Sequence, residues 1–368
     1  MSRSRIFVIA SLILLASAVP GSAGPVGFIQ RDLVSNVPGR AAVTDPDLVN
    51  PWGISFGPTS PFWVADNGTG RSTLYTGTGM KVPLVVTIPP APGSPAGTAG
   101  TPTGTVFNPT STNFSGDRFL FATEDGTIAG WQGALGTTAA VRVPNTDGSG
   151  YKGLAIAGDR IFAADFANGQ VDVFDNSYSL LSVPGGFTDP NLPADYAPFG
   201  IQTIGGNVFV TFANKPAGSD EEQTGAGLGF VDEFDTNGNL IRRVISDGAL
   251  DAPWAVALAP AGFGDFGGAL LVGNFGDGRI NAFDPMTGVF LGSLLDLNGN
   301  PIEIDGLWGL AFGNAGPGFD SHKLYFAAGI DDEENGLFGS LEPVPEPGTL
   351  WLLASTGPWL IAWRRRRS

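Results

Sequence analysis

Oxygen-bearing side chains recur at one kind of place in this chain, the polar ends of short apolar runs: Asp66 and Asn67, Glu124 and Asp125, Asp165, Asn214, Asn274 and Asp331. Gathered on one surface, they would be the donor set of a hard cation, because Ca²⁺ takes about six to eight oxygens from carboxylates, amides and main-chain carbonyls. Asp and Asn before glycine also close tight turns through their own side chains, and recurrence unit after unit favours that structural role. The densest acidic run, Asp331, Asp332, Glu333 and Glu334, breaks the recurrence and is therefore the metal candidate, with Ca²⁺ the ion it suits.

Aromatic residues form the second candidate set. Trp52, Phe199, Trp254 and Trp308 each stand beside a small residue at the start of a strand-like run, where they either stack on sugar rings or pack the fold. Conventional catalytic constellations are thin. His322 is the only histidine, so a histidine-rich metal centre is excluded and a Ser-His-Asp triad would rest wholly on it. The absence of cysteine removes a thiol nucleophile, no Gly-x-Ser-x-Gly elbow occurs, and the glycines at 225, 227 and 229 lack the strand-to-helix context of a phosphate loop.

The elements that must position these residues are repeats. A phrase of leading residue, mostly aromatic, then small residue and apolar strand appears around Trp52, Lys152, Phe199, Trp254 and Trp308, and in weaker form around Thr103. Its small residue falls at 53, 104, 153, 200, 255 and 309, giving steps of 51, 49, 47, 55 and 54. A second apolar strand ending in the Asp/Asn turn follows each copy, a third is clearest at 169–175 and 278–284, and a fourth can be drawn at 180–183, 240–244 and 289–293. Four short antiparallel strands per unit of about 50 residues, with no sustained 3.6 period, describe an all-β, six-bladed β-propeller. The spacing also suits kelch repeats, but their doubled glycine is not regular here; a β-helix or two stacked sandwiches would also use short strands of this kind. The last unit lacks a fourth strand, and the alternating segment 28–34 has no unit of its own. It is predicted to complete blade six and close the ring, removing free sheet edges.

Both ends differ from the repeats. Arg3 and Arg5, an apolar stretch over 6–19 and the small residues Gly21 to Gly24 read as a signal peptide over 1–23, cut after Ala23. The propeller occupies 24–341, and the segment 342–368 carries Pro345-Glu346-Pro347, an apolar run over 350–363 and the arginines Arg364, Arg365, Arg366 and Arg367. That run is short for a stable membrane span and is broken by Gly357-Pro358, while the arginines hold the end on the cytoplasmic side. Setting aside the six terminal arginines and Glu346 leaves 13 bases against 34 acids, a balance near −21. Such a surface repels nucleic acid and anionic headgroups, and suits divalent cations or neutral glycans.

The order of Pro-Glu-Pro, hydrophobic stretch and arginine cluster resembles the PEP-CTERM sorting signal of Gram-negative bacteria. That resemblance implies handling by an exosortase, cleavage near the Pro-Glu-Pro and delivery to the cell surface or an exopolysaccharide matrix. The alternation of the two strand phrases resembles six-bladed propellers of the NHL, gluconolactonase-like and TolB-like kinds, and the whole string resembles a family of secreted bacterial proteins that often carry this tail. Gluconolactonase-like propellers hold a divalent metal, which makes a metal-dependent hydrolase or lactonase the second functional reading. The leading expectation is an exported, monomeric, noncatalytic binding or scaffold propeller, tethered transiently at the inner membrane, with extracellular polysaccharide or surface proteins as partners and its site on the channel face where the aromatic phrase meets the Asp/Asn turn.

Overall fold

A computed structural model describes residues 27–316 and 318–344; the expected signal peptide and the motif from Pro345 to Arg367 lie outside the described residues. Six antiparallel sheets are arranged as blades. Their inner strands are Pro51–Ser55, Pro102–Phe107, Tyr151–Ala157, Tyr196–Ile204, Pro253–Leu258 and Leu307–Phe312, so every copy of the repeated phrase starts an inner strand. The second strands are Phe62–Asp66, Phe119–Thr123, Arg160–Asp165, Asn207–Asn214, Leu270–Asn274 and Leu324–Ala328. Among the described residues the only helical segments are single 3₁₀ turns, as the absence of a 3.6 period required.

The second strands read as continuous apolar runs because both of their faces are buried. Phe62 and Val64 pack toward blade six, whereas Trp63 and Ala65 pack toward blade two. The same alternation sends Phe119 and Phe121 one way and Leu120 and Ala122 the other. Successive side chains of a strand point to opposite faces, so each blade feeds two interfaces, and the hydrophobic core is a ring of clusters between blades rather than one central mass.

The ring closes as expected. Phe28–Ser35 pairs antiparallel with Leu337–Pro343, in a register running from Phe28 opposite Pro343 to Ser35 opposite Leu337, and so becomes the fourth strand of blade six. Two residues, Val43–Thr44, add a short parallel strand beyond it, making this sheet five-stranded where four were expected. Phe28 also reaches blade five, where its ring lies 4.9 Å from that of Phe263 and its amide donates to the Leu295 carbonyl at 2.8 Å. Blade three ends in a fourth strand of only two residues, Leu180–Leu181, shorter than the expected 180–183.

At the repeated phrase the pairing of inner and second strands slips in every blade, between Pro51 and Ile54, Pro102 and Thr105, Tyr151 and Gly153, Pro198 and Ile201, Pro253 and Ala255, and Leu307 and Leu310. A bulge adds a residue to one strand, bends it and re-aims its side chains. Here it marks where the inner strands draw together about the axis. A Cβ on Gly200 would lie 1.9 Å from the Trp254 carbonyl oxygen, and one on Gly309 would lie 2.4 Å from that of Trp52. Glycine is required at those positions because neighbouring backbones approach more closely than any side chain permits.

Candidate functional site

The bulges bring the aromatic residues of the phrase together on the propeller axis. Trp52 and Trp308 stack with ring centroids 3.5 Å apart, Trp254 meets both edge-on at 6.3 and 5.8 Å, and Phe275 stacks on Trp308 at 4.3 Å. Phe199 lies 5.6 Å from Trp308 and 5.5 Å from Phe166. Trp52, Phe199 and Trp308 are buried and Trp254 is half-buried, so the first three rings form a plug and present no open face on which a sugar could stack. Their indole N–H groups are all used: Trp52 donates to Asn50 Oδ1 at 3.1 Å, Trp254 to the Lys152 carbonyl at 2.9 Å and Trp308 to Glu333 Oε1 at 3.0 Å.

Lys152 occupies the slot that holds an aromatic residue in four of the other blades. Its side chain is only 7% exposed, and its ammonium lies 5.1 Å from the Trp52 ring centroid and 6.0 Å from that of Phe166. A buried ammonium demands partners. It has them from two blades: Glu124 of blade two at 2.9 Å, and Glu221 and Glu222 of blade four at 3.2 and 3.9 Å. Asn67 of blade one donates to the other oxygen of Glu124 at 2.7 Å. Burial opposes the charge on Lys152, but Glu124, Glu222 and Glu221 overcome it and hold the ammonium above the usual lysine range. Burial pushes Glu222 up to about 7 despite the pull of Lys152, and burial also raises Glu333.

Two connections deliver these acids. The link from second to third strand in blade four, residues 215–229, is long enough to carry Glu221 and Glu222 over the mouth. In blade six the equivalent link holds three successive non-glycine residues, Asp331, Asp332 and Glu333, at φ values of 58°, 54° and 64°. The left-handed region costs L-residues roughly 1–2 kcal/mol each, and here it turns Glu333 in toward Trp308. A pocket of about 310 Å³ opens beside Lys152, lined among others by Glu124, Ser149, Phe166, Asp220 and Glu221.

The remaining expected site residues are engaged mostly in hydrogen bonds to other connections. Asp66 is buried and accepts from the Thr73 amide at 2.9 Å; Asp125 accepts from the Ala91 amide at 2.6 Å; Asp165 accepts from the Gly150 amide at 3.0 Å. Asn214 donates to Asp195 at 2.8 Å, and Asn274 donates to the Ala249 carbonyl at 2.8 Å and to Asp277 at 3.0 Å. Asp331 accepts from Asn335 at 3.0 Å, and Asp332 and Glu334 are exposed. Among the described residues no three His, Asp or Glu side chains are grouped where they could hold a metal ion, and the run 331–334 is not such a group. Of the expected set, the structure joins Trp52, Asn67, Glu124, Phe199, Trp254, Trp308 and Glu333 about the axis. Sequence reading missed Lys152, Asn50, Glu221 and Glu222; the signal for Lys152 was a cation standing where the repeat calls for an aromatic ring.

These features define a six-bladed β-propeller whose channel is plugged by aromatics beneath an acid-rich mouth. No protein-family model matches the chain. It is 38% identical over 323 residues to uncharacterized protein R648 of Acanthamoeba polyphaga mimivirus, covering 84% of this chain and 78% of that protein. It is 35% identical over 322 residues to uncharacterized protein L690 of the same virus, covering 84% of each. The chain belongs to the family of these mimivirus proteins. Both relatives are viral, whereas the sequence resemblance pointed to a bacterial family. In fold it is similar to a solved glucose dehydrogenase, with a TM-score of 0.54 at 13% identity over 86% of this chain and 99% of that one. At that identity the likeness speaks for the propeller fold alone.

Proposed function

We propose that this protein is an exported, noncatalytic binding propeller of the cell surface or its polysaccharide matrix, and that it holds a hydroxyl-rich ligand at the Lys152 mouth. One observation carries the reading: Lys152 is buried and bracketed by carboxylates from two blades, with a polar pocket beside it. A permanently charged, fully paired lysine is a poor nucleophile but a firm anchor, and the surrounding oxygens accept hydrogen bonds from sugar hydroxyls. Lys215 adds a second ammonium, 5.4 Å from the Phe166 ring, but Glu124, Asp220, Glu221 and Glu222 outnumber the two cations and favour neutral or amine-bearing sugars over uronates. The Pro345-Glu346-Pro347 motif, the apolar run and Arg364 to Arg367 support delivery by an exosortase.

Calorimetric titration with neutral, uronate and glucosamine oligosaccharides tests the reading, alongside a screen for lactone and ester hydrolysis. Saturable binding of a neutral or amino sugar, weakened at least tenfold by Glu124→Gln and without turnover, is the expected result. Turnover of any substrate, or no sugar binding at all, would overturn it. Retention of the protein in the cytoplasm when residues 345–368 are intact would overturn the sorting part.

A further inference from the structure

The far end of the channel has a different chemistry. There the inner strands of all six blades finish around a bowl of about 600 Å³, a volume within the range of about 300–1,000 Å³ usual for small-molecule sites. Its wall is mainly apolar, with Phe56, Phe107, Leu258 and Phe312 prominent. None of its lining residues is ionisable, although the chain carries 35 acids and 19 bases. Leu258 is 47% exposed there, a large apolar side chain left open to water.

Polar groups in the bowl are few and uncharged. Ser55 and Thr105 share a hydrogen bond of 3.0 Å between their hydroxyls, and Gln202 is exposed at the lining. The Thr203 hydroxyl is buried without a hydrogen-bond partner. That hydroxyl is closed off from the bowl, so the polar side chain open to a ligand there is Gln202. We infer that this bowl is a second binding site, which takes a neutral, largely apolar small molecule bearing one or two hydrogen-bonding groups. The uncharged lining decides the class: it offers a cation no carboxylate and an anion no base, the nearby Arg118 guanidinium being stacked on the Phe107 ring at 4.8 Å, in a strongly acidic protein. The site lies on the opposite face from Lys152, with the aromatic plug between the two mouths.

The neutral fluorophore N-phenyl-1-naphthylamine and the anionic anilinonaphthalene sulfonate serve as probes on the folded protein, with near-ultraviolet circular dichroism as a check on packing. One saturable site per chain for the neutral probe, at least tenfold tighter than for the anion, is expected. Leu258→Glu should weaken it at least tenfold, while Met286→Glu, at a residue 78% exposed away from the bowl, leaves it unchanged. If Leu258→Glu does not fold, Gln202→Glu makes the same test. Non-saturating binding, or equal loss in the Leu258 and Met286 variants, would overturn the inference. So would a concentration-dependent dimer abolished by Leu258→Glu, which would assign the bowl to a second copy of the chain.

Discussion

Lys152 and Glu124 form a 2.9 Å ion pair that ties blade three to blade two at the mouth of a plugged channel. The pair sits in a cluster with more carboxylates than ammonium groups, so its members depend on one another. Removing one partner of a buried pair leaves the other charge uncompensated, typically at a cost of about 3–5 kcal/mol.

Lys152→Met is therefore expected to destabilise the protein by roughly 3 kcal/mol at pH 8, since it strands Glu124 and Glu222. The loss should shrink toward pH 5 as Glu222, whose carboxyl burial raises to about 7, takes up its proton. Urea unfolding at the two pH values checks this, and an equal loss at both would show that packing rather than charge is what the lysine supplies.

Glu222 gives a pH dependence of defined sign. Its folded value of about 7 exceeds its ordinary value of 4.5, so the folded chain holds this proton more tightly than the unfolded chain. Its contribution is thus fully present below about pH 4.5, is lost progressively as pH rises through 7, and changes no further above that. The full loss is on the order of 3 kcal/mol at about 1.4 kcal/mol per pKa unit. Glu222→Gln should match the parent protein near pH 4.5 and exceed its melting temperature at pH 8, a comparison made by differential scanning calorimetry.

Ring closure rests on a few buried side chains of the first strand. Val34 is fully buried between the first and last blades, so Val34→Asp puts an unpaired charge into that interface. A loss of at least roughly 3 kcal/mol is expected, with an opened edge that aggregates, measurable by thermal unfolding and light scattering.

Glycine replacements separate close approach from backbone conformation. Gly200→Ala places a Cβ 1.9 Å from the Trp254 carbonyl oxygen and must push two blades apart, so it should cost upwards of about 3 kcal/mol. Gly205→Ala meets nothing but adopts φ +62°, and should cost about 1 kcal/mol. Chemical denaturation of the two variants reads the difference directly.

The sequence by itself determined the blade count, the strand phrases and the closing role of the first strand. Each of these is written in local periodicity: a phrase every 50 residues or so, apolar runs between turn residues, and one alternating segment left over. The recurring Asp residues fit a structural role, since Asp66, Asp125 and Asp165 accept from backbone amides of their own blade or a neighbouring connection. Only the tertiary structure decided what stands on the axis. Bulges turn Trp52, Trp254 and Trp308 inward from points up to five blades apart in the chain, and no local pattern encodes which rings then touch. Glu221 and Glu222 come from a connection with no place in the repeat, and they acquire meaning only beside Lys152. Burial, which raises Glu222 and makes Lys152 need partners, is a property of the closed ring and of no single unit.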